Sequence, residues 1–295
     1  VVVKEISFKV DYKKYRITEE WNCENPQYPI VLSSPHSGQV FPEEFLAHTG
    51  LTVNELRSSE DSFVSEIVKP ASDAGIPLLS MNISRAFIDI NRDKIEIDES
   101  MYYDLPQPSA SLGSRRCRVG LGVIPRIVSQ NRNIYDGLIS YNEAMARIKN
   151  VYDPYHKRLK QLVDKCQKKF GCCLLVDCHS MPSQICNIMT EEKPVEFCLS
   201  TLFDQSCPSE IYGFIGRKLQ DCGYRVEYNR PYSGGFITFN YCQPRRSLYT
   251  LQIEINRATY MDENVYKKTA GFQSVSENLS ESLVALGKIL LDFKK

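Results

Sequence analysis

Histidine and tryptophan are scarce in this chain, with four histidines and one tryptophan in 295 residues. Net charge is absent altogether, because Lys plus Arg and Asp plus Glu both total 36. A nucleic-acid or anionic-membrane partner needs a basic excess, so neither is expected. No apolar run approaches the roughly 18 residues that can span a bilayer. The first residues, Val1-Val2-Val3-Lys4, have no signal-peptide anatomy and no initiator Met. The eleven cysteines are an odd number and none falls in a Cys-x-x-Cys pattern, which removes zinc ribbons and thioredoxin-type motifs. Disulfide frameworks belong to small secreted domains, so reduced thiols in a cytoplasmic protein are the expectation. Internal repeats and low-complexity linkers are missing. So are Walker and dinucleotide-binding glycine patterns. Ser37 and Ser180 lack the Gly-x-Ser-x-Gly elbow of a serine hydrolase.

What is present is the make-up of a globular protein: 42% hydrophobic and 24% charged residues, in a chain long enough to bury a sizeable core. Apolar runs at 29–34, 76–83, 172–178 and 248–255 read as buried strands, and 85–90 as a fifth that continues from the second across a bend. Helical periodicity covers 60–74, weakened by Pro70, and 141–170, with Pro154 as a kink or break. Residues 208–222 begin with Pro and stop before Gly223, the usual helix punctuation. Residues 264–295 form a final amphipathic helix. Strands separated by helices of ten residues or more imply an α/β fold, with helices on both faces of a parallel or mixed sheet. The chain is read as a single domain, 1–295. Residues 97–132 are too long for an ordinary connection, as functional loops often are.

Two of the four histidines stand at the ends of apolar runs, in Ser34-Pro35-His36-Ser37-Gly38 and Asp177-Cys178-His179-Ser180. Carboxyl ends of strands are where ligands bind in open α/β sheets, so His36 and His179 are a candidate metal pair. The competing explanation is that each caps a strand. A hydrolytic zinc takes three protein ligands and keeps an open position. The third would be a carboxylate, Glu60 or Asp61, and helix periodicity allows only one of them to face the metal. Both could instead be an ordinary acidic first turn. Asp177, two residues before His179 on the same strand face, could orient it. Arg92 with Asn91 could fork a substrate carboxylate, unless Arg92 is an ion pair of Asp89 or Asp93. Alternation in 251–256 sets Gln252, Glu254 and Asn256 on one face, where Glu254 could act as a general base. Gly234-Gly235 permits positive φ and close backbone approach. His156 reads as a structural residue or one supporting a ligand from behind, rather than a ligand itself, and His48 carries no assignment.

Taken in order, Ser34-Pro35-His36-Ser37-Gly38, Asp89-Ile90-Asn91-Arg92, Gly122-Val123-Ile124-Pro125-Arg126-Ile127, Tyr155-His156, Asp177-Cys178-His179-Ser180-Met181-Pro182, Gly234-Gly235 and Gln252-Ile253-Glu254-Ile255-Asn256-Arg257 resemble the N-formylglutamate amidohydrolase family. The likeness runs from about residue 28 to 262. It implies a three-layer α/β/α fold with a mixed, mostly parallel sheet, like zinc carboxypeptidases and aspartoacylase. It also implies zinc-dependent hydrolysis of a carbon–nitrogen bond outside peptides, with one zinc per chain. The substrate implied is N-formyl-L-glutamate or a similar N-acyl amino acid, handled in histidine degradation. On the matching positions, His36, Asp61 and His179 would hold the metal and Glu254 would be the general base. Arg85 or Arg126 would assist at the oxyanion. Asn91, Arg92, Gly234, Gly235 and Arg257 would bind substrate. Gln39 stands where carboxypeptidases have the Glu of His-x-x-Glu, and 198–204 replaces a glycine-rich stretch of relatives. A deacylase or peptidase on another acyl-amino acid, or a non-catalytic binding protein, would use the same scaffold.

Overall fold

The computed structural model describes residues 4–106, 114–188 and 193–292. Seven strands form the main sheet: β1 (Thr18–Trp21), β2 (Ile30–Ser34), β3 (Leu78–Met81), β4 (Cys173–Met181), β5 (Phe197–Ser200), β6 (Val226–Tyr228) and β7 (Leu248–Asn256). Their order is β6-β5-β7-β4-β2-β3-β1. The β6–β5, β7–β4, β4–β2 and β2–β3 pairs are parallel, and β7–β5 is antiparallel. The sheet is thus mixed and mostly parallel, as expected. Every residue of β2 and β4 is buried, which requires cover on both faces.

The helices used below are α1 (Val64–Asp73), α2 (Tyr141–Arg147), α3 (Asp153–Phe170), α4 (Ser209–Asp221), α5 (Phe236–Asn240) and α6 (Gly271–Asp292). One sheet face carries Ile30, Leu32, Leu174, Val176, Cys178, Leu251, Ile253 and Ile255, in one core with α1, α4 and α6. Leu279, Leu283, Leu286 and Leu290 form the buried stripe of α6. Their three- and four-residue spacing holds them on one helix face, and each burial is worth roughly 2 kcal/mol. Alternation then turns Asp177, His179, Gln252 and Glu254 to the opposite sheet face. Among the described residues no helix is long and apolar enough to cross a membrane.

Packing divides the chain into two compact units, each assembled from three stretches. One comprises Val1–Glu19, His36–Glu60 and Met81–Arg158, and the other Glu20–Pro35, Asp61–Ser80 and Leu159–Lys295. In the first, Arg147 is fully buried. It is bonded to Glu143 and Tyr135, and its guanidinium lies 4.0 Å from the Phe87 ring centroid.

Several expectations need correcting. Residues 85–90 are a turn, not a strand: Phe87 and Ile88 N–H groups both reach the Ser84 carbonyl, and Ser84 Oγ accepts from Ala86 N–H. The helix expected at 60–74 starts at Val64, after Phe63 at φ 65°; Glu60 and Asp61 precede it and are not its first turn. Pro70 is accommodated inside it. The run at 172–178 extends to Met181, because β7 continues the ladder to Met181 and Asn256. The region 141–170 does not break at Pro154; it passes through a π turn, Ile148–Tyr152. The final helix begins at Gly271 rather than 264, and residues 293–295 lie outside the described residues, as do Val1–Val3. Of the long loop 97–132, residues 107–113 are also outside them. The short strands β1, β5 and β6 were too brief to stand out as apolar runs.

Candidate metal centre

His36 lies two residues beyond β2 and is buried. Its Nε2 is 2.7 Å from Asp89 Oδ1. The Ser84 turn delivers Asp89, and the same oxygen accepts from the Asn91 N–H at 2.9 Å. The other oxygen, Oδ2, accepts from Arg85 Nε at 2.9 Å and is 3.6 Å from Arg92 Nη2. Burial alone would raise the Asp89 pKa; Arg85, Arg92 and His36 outweigh it and hold the carboxyl well below the ordinary aspartate range. The backbone around His36 is equally constrained. A Cβ on Gly38 would stand 2.3 Å from the Ile83 carbonyl oxygen, so only glycine fits that approach.

His179 sits inside β4, near its carboxyl end. Its Nε2 is 2.9 Å from Asp177 Oδ2 and its Nδ1 is 2.9 Å from Asp61 Oδ2. Ser33 Oγ donates to Asp177 Oδ1 at 3.3 Å. Burial works against a charged imidazole, but Asp177, Asp61 and Glu254 overcome it and push the His179 pKa well above its usual value. Asp61 is itself tied down at its other oxygen, which accepts from Ser180 Oγ at 2.9 Å and from Arg257 Nη2 at 3.2 Å. Arg257 Nε also donates to Ser180 Oγ at 3.0 Å.

Each of His36, Asp61 and His179 offers a ligand atom, and these atoms lie within 4.8 Å of one another. All three residues are buried. Both imidazoles place Nε2 on an aspartate, the outer-sphere pairing that fixes the tautomer and orientation of metal-binding histidines. Two nitrogens and one carboxylate oxygen suit a hydrolytic zinc. Glu60, the rival carboxylate, points elsewhere. It accepts from Gln39 Nε2 at 2.9 Å and from Arg57 Nε at 2.9 Å. The parallel register of β4 and β7 sets Glu254 directly beside His179, and Gln252 Nε2 donates to Glu254 Oε1 at 2.8 Å.

A family model described as N-formylglutamate amidohydrolase matches residues 28–261. The chain belongs to the N-formylglutamate amidohydrolase family. It is therefore a hydrolase of carbon–nitrogen bonds other than peptide bonds. It is 27% identical over 269 residues to an N-formylglutamate deformylase from Pseudomonas putida, which covers 88% of this chain and 93% of the relative. A deformylase of the same name from Pseudomonas aeruginosa is also 27% identical, over 88% of this chain and 94% of its own. The crystal structure of N-formylglutamate amidohydrolase from Ralstonia eutropha JMP134 superposes with a TM-score of 0.87 at 27% identity, covering 94% of this chain and 99% of that one.

Asn91 and Arg92 are buried beside Asp89. Arg92 spends Nε on the Leu121 carbonyl and Nη1 on the Asn91 carbonyl, both at 3.0 Å, and burial lowers its pKa. Arg126 pairs with Asp98 at 3.0 Å and is 37% exposed. Gly234 has φ 130°, and a Cβ there would meet the Leu202 side chain at 2.6 Å. Gly235 has φ −102° and opens α5, so positive φ is needed at only one of the two. His156 Nε2 donates to the Ile90 carbonyl at 2.8 Å, a structural bond as expected. His48 stacks on Phe8. From its sequence Asp89 is legible only as an arginine partner; its bond to His36 is visible only in the folded chain. The parallel with Asp177 is the available signal: each histidine closes an apolar run of the sequence, and each needs a carboxylate at its second nitrogen.

Proposed function

We propose that the chain is a zinc-dependent amidohydrolase that removes the formyl group, or a similarly small acyl group, from N-formyl-L-glutamate or a closely related N-acyl amino acid. The observation that carries this is the buried His36, Asp61 and His179 group with Glu254 adjacent in register, in a chain of this family. The relatives named deformylases support the choice of substrate. One zinc would be held by His36, Asp61 and His179. Bound there, zinc supplies Lewis acidity, polarising a carbonyl and making a water more acidic.

The chain's own residues do the rest. Glu254 takes a proton from the attacking water and returns it to the departing amine. Gln252 keeps that carboxylate aimed by its hydrogen bond. The carbon–nitrogen bond breaks, leaving formate and glutamate. Asn91 and Arg92 hold the substrate carboxylate, so that binding becomes positioning. Arg85, anchored on Asp89, assists at the developing oxyanion. Arg126, committed to Asp98, is left a structural part. Gly234 and Gly235 let the backbone approach substrate. Arg257, bonded to Asp61 and Ser180, acts by holding Asp61 rather than by touching substrate. The test is glutamate release from N-formyl-L-glutamate and from N-acetyl-L-glutamate by zinc-loaded and chelator-treated protein. Zinc-dependent release, faster for the formyl compound, is expected. Equal inactivity toward both in zinc-loaded protein would refute the proposal.

A further inference from the structure

The helical segment from Tyr141 to Phe170 is interrupted once. In the π turn Ile148–Tyr152 the Asp153 N–H reaches the Ile148 carbonyl, five residues back. Two residues account for it. Pro154 has no N–H for the Asn150 carbonyl, and its ring would crowd that group in a continuous α-helix. Asn150 turns its Nδ2 onto the Ala146 carbonyl at 2.8 Å, taking the acceptor its own N–H would otherwise use.

The consequence is a change of face. In a plain α-helix, residues five apart stand about 140° apart around the axis. A π turn absorbs one extra residue, so Arg147 and Tyr152 come to the same side, and His156, four residues on, joins them. All three use that side alike. Arg147 Nη1 donates to the Phe87 carbonyl at 2.9 Å, His156 Nε2 to the Ile90 carbonyl at 2.8 Å, and the Tyr152 hydroxyl to the Arg92 carbonyl at 2.8 Å. The Tyr152 and His156 rings pack together with centroids 4.3 Å apart. Residues 87–92 belong to no helix or strand, so buried carbonyls there depend on side-chain donors.

That six-residue stretch carries Asp89, the partner of His36, and Asn91 and Arg92. We propose that Arg147, Tyr152 and His156 are positioning residues. They clamp the backbone of 87–92 and so fix both Asp89 against His36 and the Asn91-Arg92 pair that receives the substrate carboxylate. The kinetic part rests on the proposed amidohydrolase function; the backbone clamp stands apart from it.

The test compares the full-length protein with Tyr152→Phe, His156→Ala and His156→Gln by hydrogen–deuterium exchange and by steady-state turnover of N-formyl-L-glutamate. Loss of one such hydrogen bond should speed exchange in residues 84–92 roughly fivefold, with residues 132–139 unchanged. Tyr152→Phe and His156→Ala should raise KM roughly fivefold while kcat changes less than about twofold. His156→Gln keeps a donor at the same place and should restore both. Unchanged exchange in 84–92, or faster exchange with an unaltered KM, would overturn the proposal. So would exchange that rises equally at 132–139, since that marks general loosening. If wild type releases no formate, the proposed function fails, and exchange alone then decides whether the clamp exists.

Discussion

Replacing Asp89 by Asn removes one negative charge and almost no volume, which makes it a sharp probe of the His36 half of the site. Asp89 is buried, with His36 Nε2 at 2.7 Å, Arg85 Nε at 2.9 Å and Arg92 Nη2 at 3.6 Å. Taking the anion away leaves Arg92, itself buried, without its nearest counter-charge. Removing one partner of a buried pair costs about 3–5 kcal/mol. The amide still accepts the Asn91 N–H bond, so the loss should fall near 3 kcal/mol, the low end of that range. That is more than a hundredfold in the unfolding equilibrium, out of a total stability of about 5–15 kcal/mol. The same change withdraws the carboxylate from His36, and such outer partners are worth about 10–100-fold in metal affinity. Urea unfolding followed by far-UV circular dichroism reads the first effect, and competition for zinc against a chelator reads the second. A stability loss under about 1 kcal/mol together with unchanged zinc affinity would refute the assignment of Asp89.

Further outcomes follow from the same geometry. The folded pKa of Asp89 is depressed, so its contribution is present above the unfolded value of about 4 and is lost as pH falls below that toward the folded value. Urea midpoints of wild type and Asp89→Asn should therefore differ most near neutrality and converge in acid; a constant gap would contradict this. Gly38→Ala should destabilise by about 2 kcal/mol or more, because its Cβ would press on backbone that cannot swing aside, the Ile83 carbonyl oxygen at 2.3 Å and the Asn82 carbonyl at 2.6 Å; a thermal melt within a degree of wild type would be inconsistent with that. Glu254→Gln should keep zinc and fold but lower kcat about 10²–10⁴-fold, as measured by formate release. Near-normal turnover would take Glu254 out of the proton-transfer role.

The sheet was legible because its central strands are continuous apolar runs, and those around 30, 174 and 250 fell within a few residues of their positions. The edge strands, three or four residues each, gave too little pattern. At Ser84 the apolar pattern misled, because local bonds from Ala86, Phe87 and Ile88 N–H groups to Ser84 bend 85–90 into a turn. His36, Asp61 and His179 were nominated from strand ends and family motifs, and all three offer ligand atoms to one cluster. The choice of Asp61 over Glu60 was invisible to periodicity, since neither residue is helical. It depends on Glu60 being drawn to Arg57 and Gln39. The π turn could not be read from amphipathic spacing either, because that spacing assumes an unbroken helix; Pro154 was the mark it left.

The central claim is that His36, Asp61 and His179 hold one catalytic zinc. Inductively coupled plasma mass spectrometry on zinc-equilibrated, desalted protein, paired with formate release from N-formyl-L-glutamate, tests it directly against His179→Ala. About one zinc per chain and formate release in wild type, both lost in the variant, is the expected result. Wild-type protein that retains no zinc and releases no formate, or a variant that keeps both, would contradict it.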